Sequence, residues 1–288
     1  NADWVIDLGP KGGDEGGDNR IPDQQCRESS YAIMGSVERL PPDGNICLID
    51  ADSLLYYEMD KPTYEEAIYG LDKRIEHILS ECNTTLCDGY FTSGRCFRYG
   101  VEPDYKGNRK GKPKPPIFHA MKEYLIQKYG FWSVKQLEAD DLVSYYSYSD
   151  NRSTIVCSPD KDVLGQCIGM HYNYQKAEFW HTTPEEANKF LWKQVLMGDS
   201  TDNIKGIPGV GDKTATNWLK NRKNDFEGFA MKQYVEKFGM VDGLMEFHKN
   251  FRLVYLLKTQ ADIQRETGLM LPPLDVKQQI PQQDGDLW

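Results

Sequence analysis

The sequence predicts an α/β fold with a mainly parallel central sheet flanked by helices, followed by a smaller helical subdomain. Three observations carry this reading. Apolar runs such as Ile46-Cys47-Leu48-Ile49 and Thr154-Ile155-Val156-Cys157 are continuous rather than alternating, as strands covered on both faces are. These runs alternate with segments of helical period, the pattern of strand–helix–strand units. Beyond Lys205 the strand signal stops and the helical pattern continues.

Taken in order, residues 1–44 are rich in Gly and Asp, with Gly12-Gly13-Asp14-Glu15-Gly16-Gly17-Asp18 and the break Pro41-Pro42. A flexible or loosely docked N-terminal arm is expected there, since it has few periodic apolar residues. An α/β core is expected over 45–200. Its first strand stops at Asp50. Ile68, Leu71, Ile75, Ile78 and Leu79 then share one helix face. Tyr90-Phe91-Thr92 reads as the second strand, broken at Gly94. Residues 97–116 are basic and rich in Gly and Pro, which predicts a loop or a segment ordered on binding. Helices over 117–129 and 138–148 flank a strand over 131–134, and 170–180 reads as a hairpin. Pro184 with Glu185 and Glu186 opens a helix running to Met197, because Pro fits the first turn and acids there meet the positive end of the dipole. Residues 201–288 form the helical region and C-terminal tail.

Hydrophobic content of 39% is that of a folded protein, and no run approaches the roughly 18 apolar residues a membrane span needs. The chain begins at Asn1 rather than Met, so truncation or processing is expected, and the N-terminal residues lack a secretory pattern. A soluble intracellular protein and a monomer are expected, in a cytoplasm (a host's, if viral) or a DNA-containing organelle. Seven cysteines occur without a CxxC pair, which predicts reduced, mostly buried thiols rather than a zinc site or a disulfide framework. The net charge of −10 does not exclude a polyanionic partner. Arg95, Arg98, Lys106, Arg109, Lys110, Lys112 and Lys114 lie against only Glu102 and Asp104 in that stretch, and a local basic patch suffices for phosphate binding.

The acidic residues that matter stand where strands end or helices begin: Asp50, Glu138, Asp140, Asp141, Asp160, Asp162, Asp199 and Asp202. In a parallel sheet the carboxyl ends of the strands converge on one edge, where ligands bind. Any one such Asp is more often a helix cap or a solvated charge; the joint arrangement is informative. Gathered carboxylates repel one another unless cations are present, and oxygen-only ligands suit Mg²⁺ or Mn²⁺. Two such ions about 4 Å apart are suited to phosphodiester hydrolysis.

Five stretches, in order and spacing, are similar to motifs of the 5′-3′ exonuclease and flap endonuclease family. They are Ile49-Asp50-Ala51-Asp52, Pro103-Asp104-Tyr105-Lys106-Gly107-Asn108-Arg109, Leu137-Glu138-Ala139-Asp140-Asp141, Pro159-Asp160-Lys161-Asp162 and Gly198-Asp199-Ser200-Thr201-Asp202-Asn203. The chain resembles bacteriophage members and the 5′-nuclease domain of bacterial DNA polymerase I, from about Asn45 to Leu219. The resemblance implies a PIN-like nuclease core that engages DNA with a 5′ end, flap or gap next to duplex, including RNA–DNA hybrids at primers. It implies a first metal ion at Asp50, Glu138 and Asp140, with Asp141 near both sites, and a second at Asp160, Asp162, Asp199 and Asp202. Tyr105, Lys106 and Arg109 would belong to a basic arch over about 95–120, with Arg95, Arg98 and Lys110 on DNA, and Lys106 and Arg109 would polarise the scissile phosphate.

Gly206-Ile207-Pro208-Gly209-Val210-Gly211-Asp212-Lys213 is a second signature, similar to a helix-hairpin-helix turn. Gly206, Gly209 and Gly211 let the backbone approach a phosphate, and amides near Lys213 and Thr214 can donate to it. In the family this turn also binds a monovalent cation such as K⁺, here through the carbonyls of Ile204, Ile207 and Val210. One position departs from the pattern. The family places a further metal-binding Asp at the end of the second strand, where this chain has Ser93. Divergence with retained activity, an engineered substrate-trapping substitution and a drift toward binding alone are the competing explanations. A catalytically weakened junction-binding protein and a PIN-type ribonuclease are the alternative functions.

Overall fold

The computed structural model describes residues 45–109, 114–149 and 153–274. The expected N-terminal arm, Lys110, Lys112 and the tail after 274 lie outside the described residues.

The chain enters through β1 (Ile46–Asp50), whose five residues are all buried. Asp50 ends the strand and caps helix α1 (Ala51–Glu58), its carboxylate accepting from the Ser53 amide. Helix α2 (Tyr64–Glu81) is capped by Thr63 and buries Ala67, Leu71, Ile75, Ile78 and Leu79, the face that its periodicity predicts. Strand β2 (Cys87–Cys96) leads into a short helix α3 (Arg98–Val101) and a 3-10 turn over Gly107–Arg109. Then come α4 (Pro116–Tyr129), β3 (Trp132–Gln136), α5 (Ala139–Ser149), β4 (Thr154–Cys157) and α6 (Lys161–Gln166). The hairpin β5 (Gly169–Asn173) and β6 (Glu178–Thr182) precedes α7 (Pro184–Met197). Helix α7 opens on a reciprocal cap between Thr183 and Glu186, with Pro184 in the first turn.

The six strands are ordered β3-β2-β1-β4-β5-β6. All neighbours are parallel except the β5–β6 hairpin, so the expected mainly parallel α/β fold is what forms. From β1 the chain steps outward through β2 and β3, then returns to lay β4 on the other side of β1. That reversal opens a crevice beyond the carboxyl ends of β1 and β4, the place where such sheets bind ligands. Among the described residues no helix is long and apolar enough to cross a membrane.

After β6 the chain is helical: α8 (Asp212–Leu219), α9 (Phe226–Phe238), α10 (Met240–Val254) and α11 (Gln260–Thr267). Helix α7 joins this part to the sheet. Its Trp192 stacks on Phe247 with the rings 2° from parallel, and the Tyr234 hydroxyl donates to the Val195 carbonyl at 2.6 Å. Leu256, Leu257 and Ile263 continue into the core that covers β1 and α5.

Candidate active site

The crevice between β1 and β4 is organised by a serine. Ser158 Oγ donates to Asp50 Oδ2 at 3.1 Å and accepts the Asp160 amide at 3.0 Å. Two strand-end aspartates are thereby tied to one hydroxyl. Asp160 then caps α6 by accepting the Asp162 amide at 2.7 Å, as Asp50 caps α1. Burial pushes the Asp50 carboxyl up to about 6, and the charges of Asp52 and Asp160 add to the effect. Asp140, in the first turn of α5, is raised well above the carboxylate range by burial and by the nearby charges of Asp50 and Asp160. Asp50, Asp140 and Asp160 therefore form one mutually repelling group.

Asp141 does not join it. The sequence places Asp141 among the metal ligands, yet its side chain is fully buried on the far side of α5. Its oxygens accept from Arg98 at 2.7 and 2.8 Å and from the amides of Glu138 and Leu257, which leaves little capacity for an ion. Arg98 corrects a second expectation. It is buried rather than turned to DNA, and it also donates to the carbonyls of Leu253 and Tyr255. Adjacent helical residues lie about 100° apart around the axis, so Asp140 and Asp141 meet different environments.

The basic half of the site comes from the segment after α3. Lys106 Nζ lies 2.5 Å from Glu138 Oε1 and 3.6 Å from Asp202 Oδ2. The Tyr105 hydroxyl lies 2.9 Å from Glu138 Oε2 and 3.1 Å from Asp202 Oδ2, and Arg109 donates to Asp202 Oδ1 at 2.7 Å. Burial alone would raise Glu138, but the Lys106 and Arg98 cations outweigh it and hold the carboxyl down at about 2. Asp202 stays above its ordinary value because burial outweighs Lys106 and Arg109. The segment is fastened by amide side chains. Asn108 donates to the carbonyls of Ser200 and Thr201, while Asn203 donates back to the carbonyl and carboxylate of Asp104. Tyr105, expected on an arch, is thus 2% exposed and wedged in the base of the site.

A second acidic group lies beside α6. Lys161 Nζ donates to Asp199 Oδ2 at 2.8 Å and lies 3.3 Å from Asp162 Oδ1, while Gln194 donates to Asp162 at 2.7 Å. Burial and the charge of Asp160 lift Asp162 to about 7. For Asp199, burial is overcome by Lys161 and the Thr201 amide, and its carboxyl is lowered. Lys161 is given no role by its motif alone; a lysine set between two aspartates is the signal the sequence holds for it. Ser158, Asn108 and Asn203 carried no such signal.

The acids of this edge offer carboxylate oxygens, and the raised carboxyls of Asp50 and Asp140 show crowded negative charge that a hard cation would relieve. Among the described residues no three of these carboxylates bring oxygens within 4.8 Å of one another. Carboxylate oxygens are the donors that hard divalent cations take.

Comparison with known proteins gives a consistent answer. No family model matches the chain. DNA polymerase I of Bacillus subtilis is 29% identical over 208 residues, 61% of this chain and 23% of the polymerase. A 5′-3′ exonuclease of Buchnera aphidicola subsp. Schizaphis graminum is 28% identical over 207 residues, 62% of this chain and 71% of the relative. The bacteriophage T5 D15 flap endonuclease, solved with DNA and metal ions, superposes with a TM-score of 0.57 at 18% identity, covering 74% of this chain and 89% of that one. The chain is similar in sequence to 5′-3′ exonucleases and to the matching part of DNA polymerase I. The T5 structure, at that identity, establishes the shared fold; the chain matches under a quarter of the polymerase's length.

Ser93 sits near the end of β2, just before a register shift between Ser93 and Cys96. The neighbouring carboxylate is Asp52, in the first turn of α1. Its Oδ2 accepts the Thr92 amide at 3.1 Å, and its charge acts on Asp50. An acid from α1 therefore stands at the strand end where β2 itself supplies a hydroxyl.

The glycine turn is built by close backbone contact. Gly198 and Gly206 have φ of +74° and +58°, and a Cβ on Gly206 would lie 2.3 Å from the Gly198 nitrogen, so only glycine fits either place. Gly209 has φ +87° in open space, and Gly211 precedes α8. Lys213 and Arg95 are exposed and Thr214 half-buried. The Ile204 carbonyl accepts the Asp199 amide and the Ile207 carbonyl accepts the Val210 amide, so each has one lone pair committed.

Proposed function

We propose that this chain is a metal-dependent, structure-selective 5′-3′ exonuclease or flap endonuclease that hydrolyses DNA phosphodiesters in replication or repair. Its substrates would be 5′ flaps, gaps and RNA primers next to duplex. The observation that carries the reading is the convergence of Lys106 and Arg109 with Asp50, Asp140 and Asp160 on one sheet edge. A site with that pairing can hold a phosphate and repel it at once, unless cations bridge the acids.

Asp50, Asp140 and Asp160 would hold one Mg²⁺ or Mn²⁺, with Asp52 in reserve for Ser93; Asp162 and Asp199 would hold the second, with Lys161 yielding to it. Glu138 and Asp202 stay with the cations of the clasp and act as their positioning residues. Bound divalent ions supply Lewis acidity and a hydroxide-generating water at neutral pH. The chain's own part is orientation. Lys106 and Arg109 present ammonium and guanidinium groups to the scissile phosphate and stabilise charge as it builds. Arg95, the backbone of Gly206–Gly211, and the amides that begin α8 near Lys213 and Thr214 would grip the duplex backbone without reading sequence. A monovalent cation at the carbonyls of Ile207 and Val210 would brace that turn.

The second reading, a junction-binding protein of weakened activity, draws on Ser93. Cleavage of a labelled 5′-flap duplex with and without Mg²⁺, sized on a gel, separates the two. The nuclease reading requires Mg²⁺-dependent product that disappears in the Asp160→Asn, Asp162→Asn double variant while duplex affinity persists. Binding without cleavage would overturn it, and preference for single-stranded RNA over flap DNA would favour a PIN-type ribonuclease.

A further inference from the structure

Away from the acidic edge, three thiols meet inside the core. Cys47 on β1 stands opposite Ile155, and Cys157 on β4 stands opposite Ile49, so the two cysteines are diagonal neighbours on one sheet face. Cys82, the residue that ends α2, comes down on that face. All three are fully buried and none is in a disulfide. Their sulfurs lie within 4.8 Å of one another, with Cys82 Sγ 3.9 Å from Cys157 Sγ. Among the described residues this is the one group of three Cys, His, Asp or Glu side chains with ligand atoms so close together.

The spacing has a chemical meaning. A disulfide needs sulfurs about 2.0 Å apart. An ion at the centre of three sulfurs, with bonds of about 2.3 Å, needs them about 4 Å apart. We propose that Cys47, Cys82 and Cys157 form a trigonal thiolate site for a soft, closed-shell cation of the Zn²⁺ or Cu⁺ class. Thiolates select such ions over Mg²⁺, so this site and the carboxylate edge sort different metals in one chain. Each thiol gives up its proton on binding, and one ion therefore displaces three. Binding would fasten β1, β4 and α2 together three residues before Asp50 and Asp160, whatever reaction those acids serve.

The test is a titration of the reduced full chain with Cd²⁺, followed by its thiolate-to-metal charge-transfer absorption. A single equivalent saturates the band, Cys82→Ser loses it, and Cys96→Ser and Cys167→Ser keep it. X-ray absorption at the cadmium edge of the unmodified chain counts three sulfur neighbours, a readout that needs no variant to fold. Absence of the band at one equivalent, its survival in Cys82→Ser, or an oxygen shell around cadmium would overturn the assignment. So would a disulfide mapped between any two of the three cysteines in the purified chain.

Discussion

Arg98 and Asp141 face each other through two hydrogen bonds of 2.7 and 2.8 Å, and neither side chain reaches solvent. Removing one partner of such a pair strands the other charge in the core. Asp141→Ala is expected to cost about 3–5 kcal/mol in urea unfolding, with cleavage per folded molecule retained. A variant of unchanged stability and lost cleavage would return Asp141 to the list of metal ligands.

Asp140→Asn should behave in the opposite way. Its charge is opposed by burial and by Asp50 and Asp160, so neutralising it in metal-free buffer should raise stability while abolishing turnover. Mg²⁺ should then raise the melting temperature of the parent more than that of the variant, since only the parent gains the full linkage term. Equal shifts in a thermal melt with and without Mg²⁺ would count against Asp140 as a ligand.

Lys106→Ala is expected to lower single-turnover cleavage by about 10²–10³-fold with a smaller effect on duplex affinity. Lys106→Arg should recover part of the loss. An unaltered rate in Lys106→Ala would remove the ammonium from the chemistry.

His171 predicts an acid limit on stability. Its ring is buried, Nε2 bonds to the Cys167 carbonyl and Nδ1 has no partner, and burial lowers its pKa to about 4. The unfolded chain binds the proton near 6.5. Stability is therefore complete above that value and declines as pH falls toward 4, by about 2 kcal/mol at pH 5. His171→Leu should flatten the curve of unfolding free energy against pH between those limits; an unchanged slope would assign the acid loss elsewhere.

Gly206→Ala meets both a positive φ and the Gly198 nitrogen, and should cost more than about 1 kcal/mol and weaken duplex binding. Gly209→Ala has the strained φ without the collision, so it should be the milder variant in both assays.

Much of this was legible in the sequence because strands buried on both faces are written as apolar runs. Helices α1 and α6 were not. Each is short and begins directly at a strand-end aspartate, Asp50 or Asp160, so a single residue ends one element and caps the next. The acids stand out in the sequence at strand ends and helix starts, but rotation around α5 separates Asp140 from Asp141, and Arg98, the partner of Asp141, is 43 residues away. Arg98 looked like part of a surface patch because its neighbours are basic, whereas its burial depends on carbonyls from Leu253 and Tyr255. The thiol cluster was invisible for the same reason: sheet register, not sequence spacing, brings Cys47 to Cys157.

The asparagine clasp joins positions 92 to 99 residues apart. Contacts so distant form late, because the loop between them must close first. During synthesis Lys106 and Glu138 emerge well before Asp199, Asp202 and Asn203, so the cationic segment has only Glu138 to hold it until the end of α7 has been made. Whatever chemistry the acidic edge performs thus waits until Asn203 has been made, a timing that the order of the polypeptide supplies without any regulator.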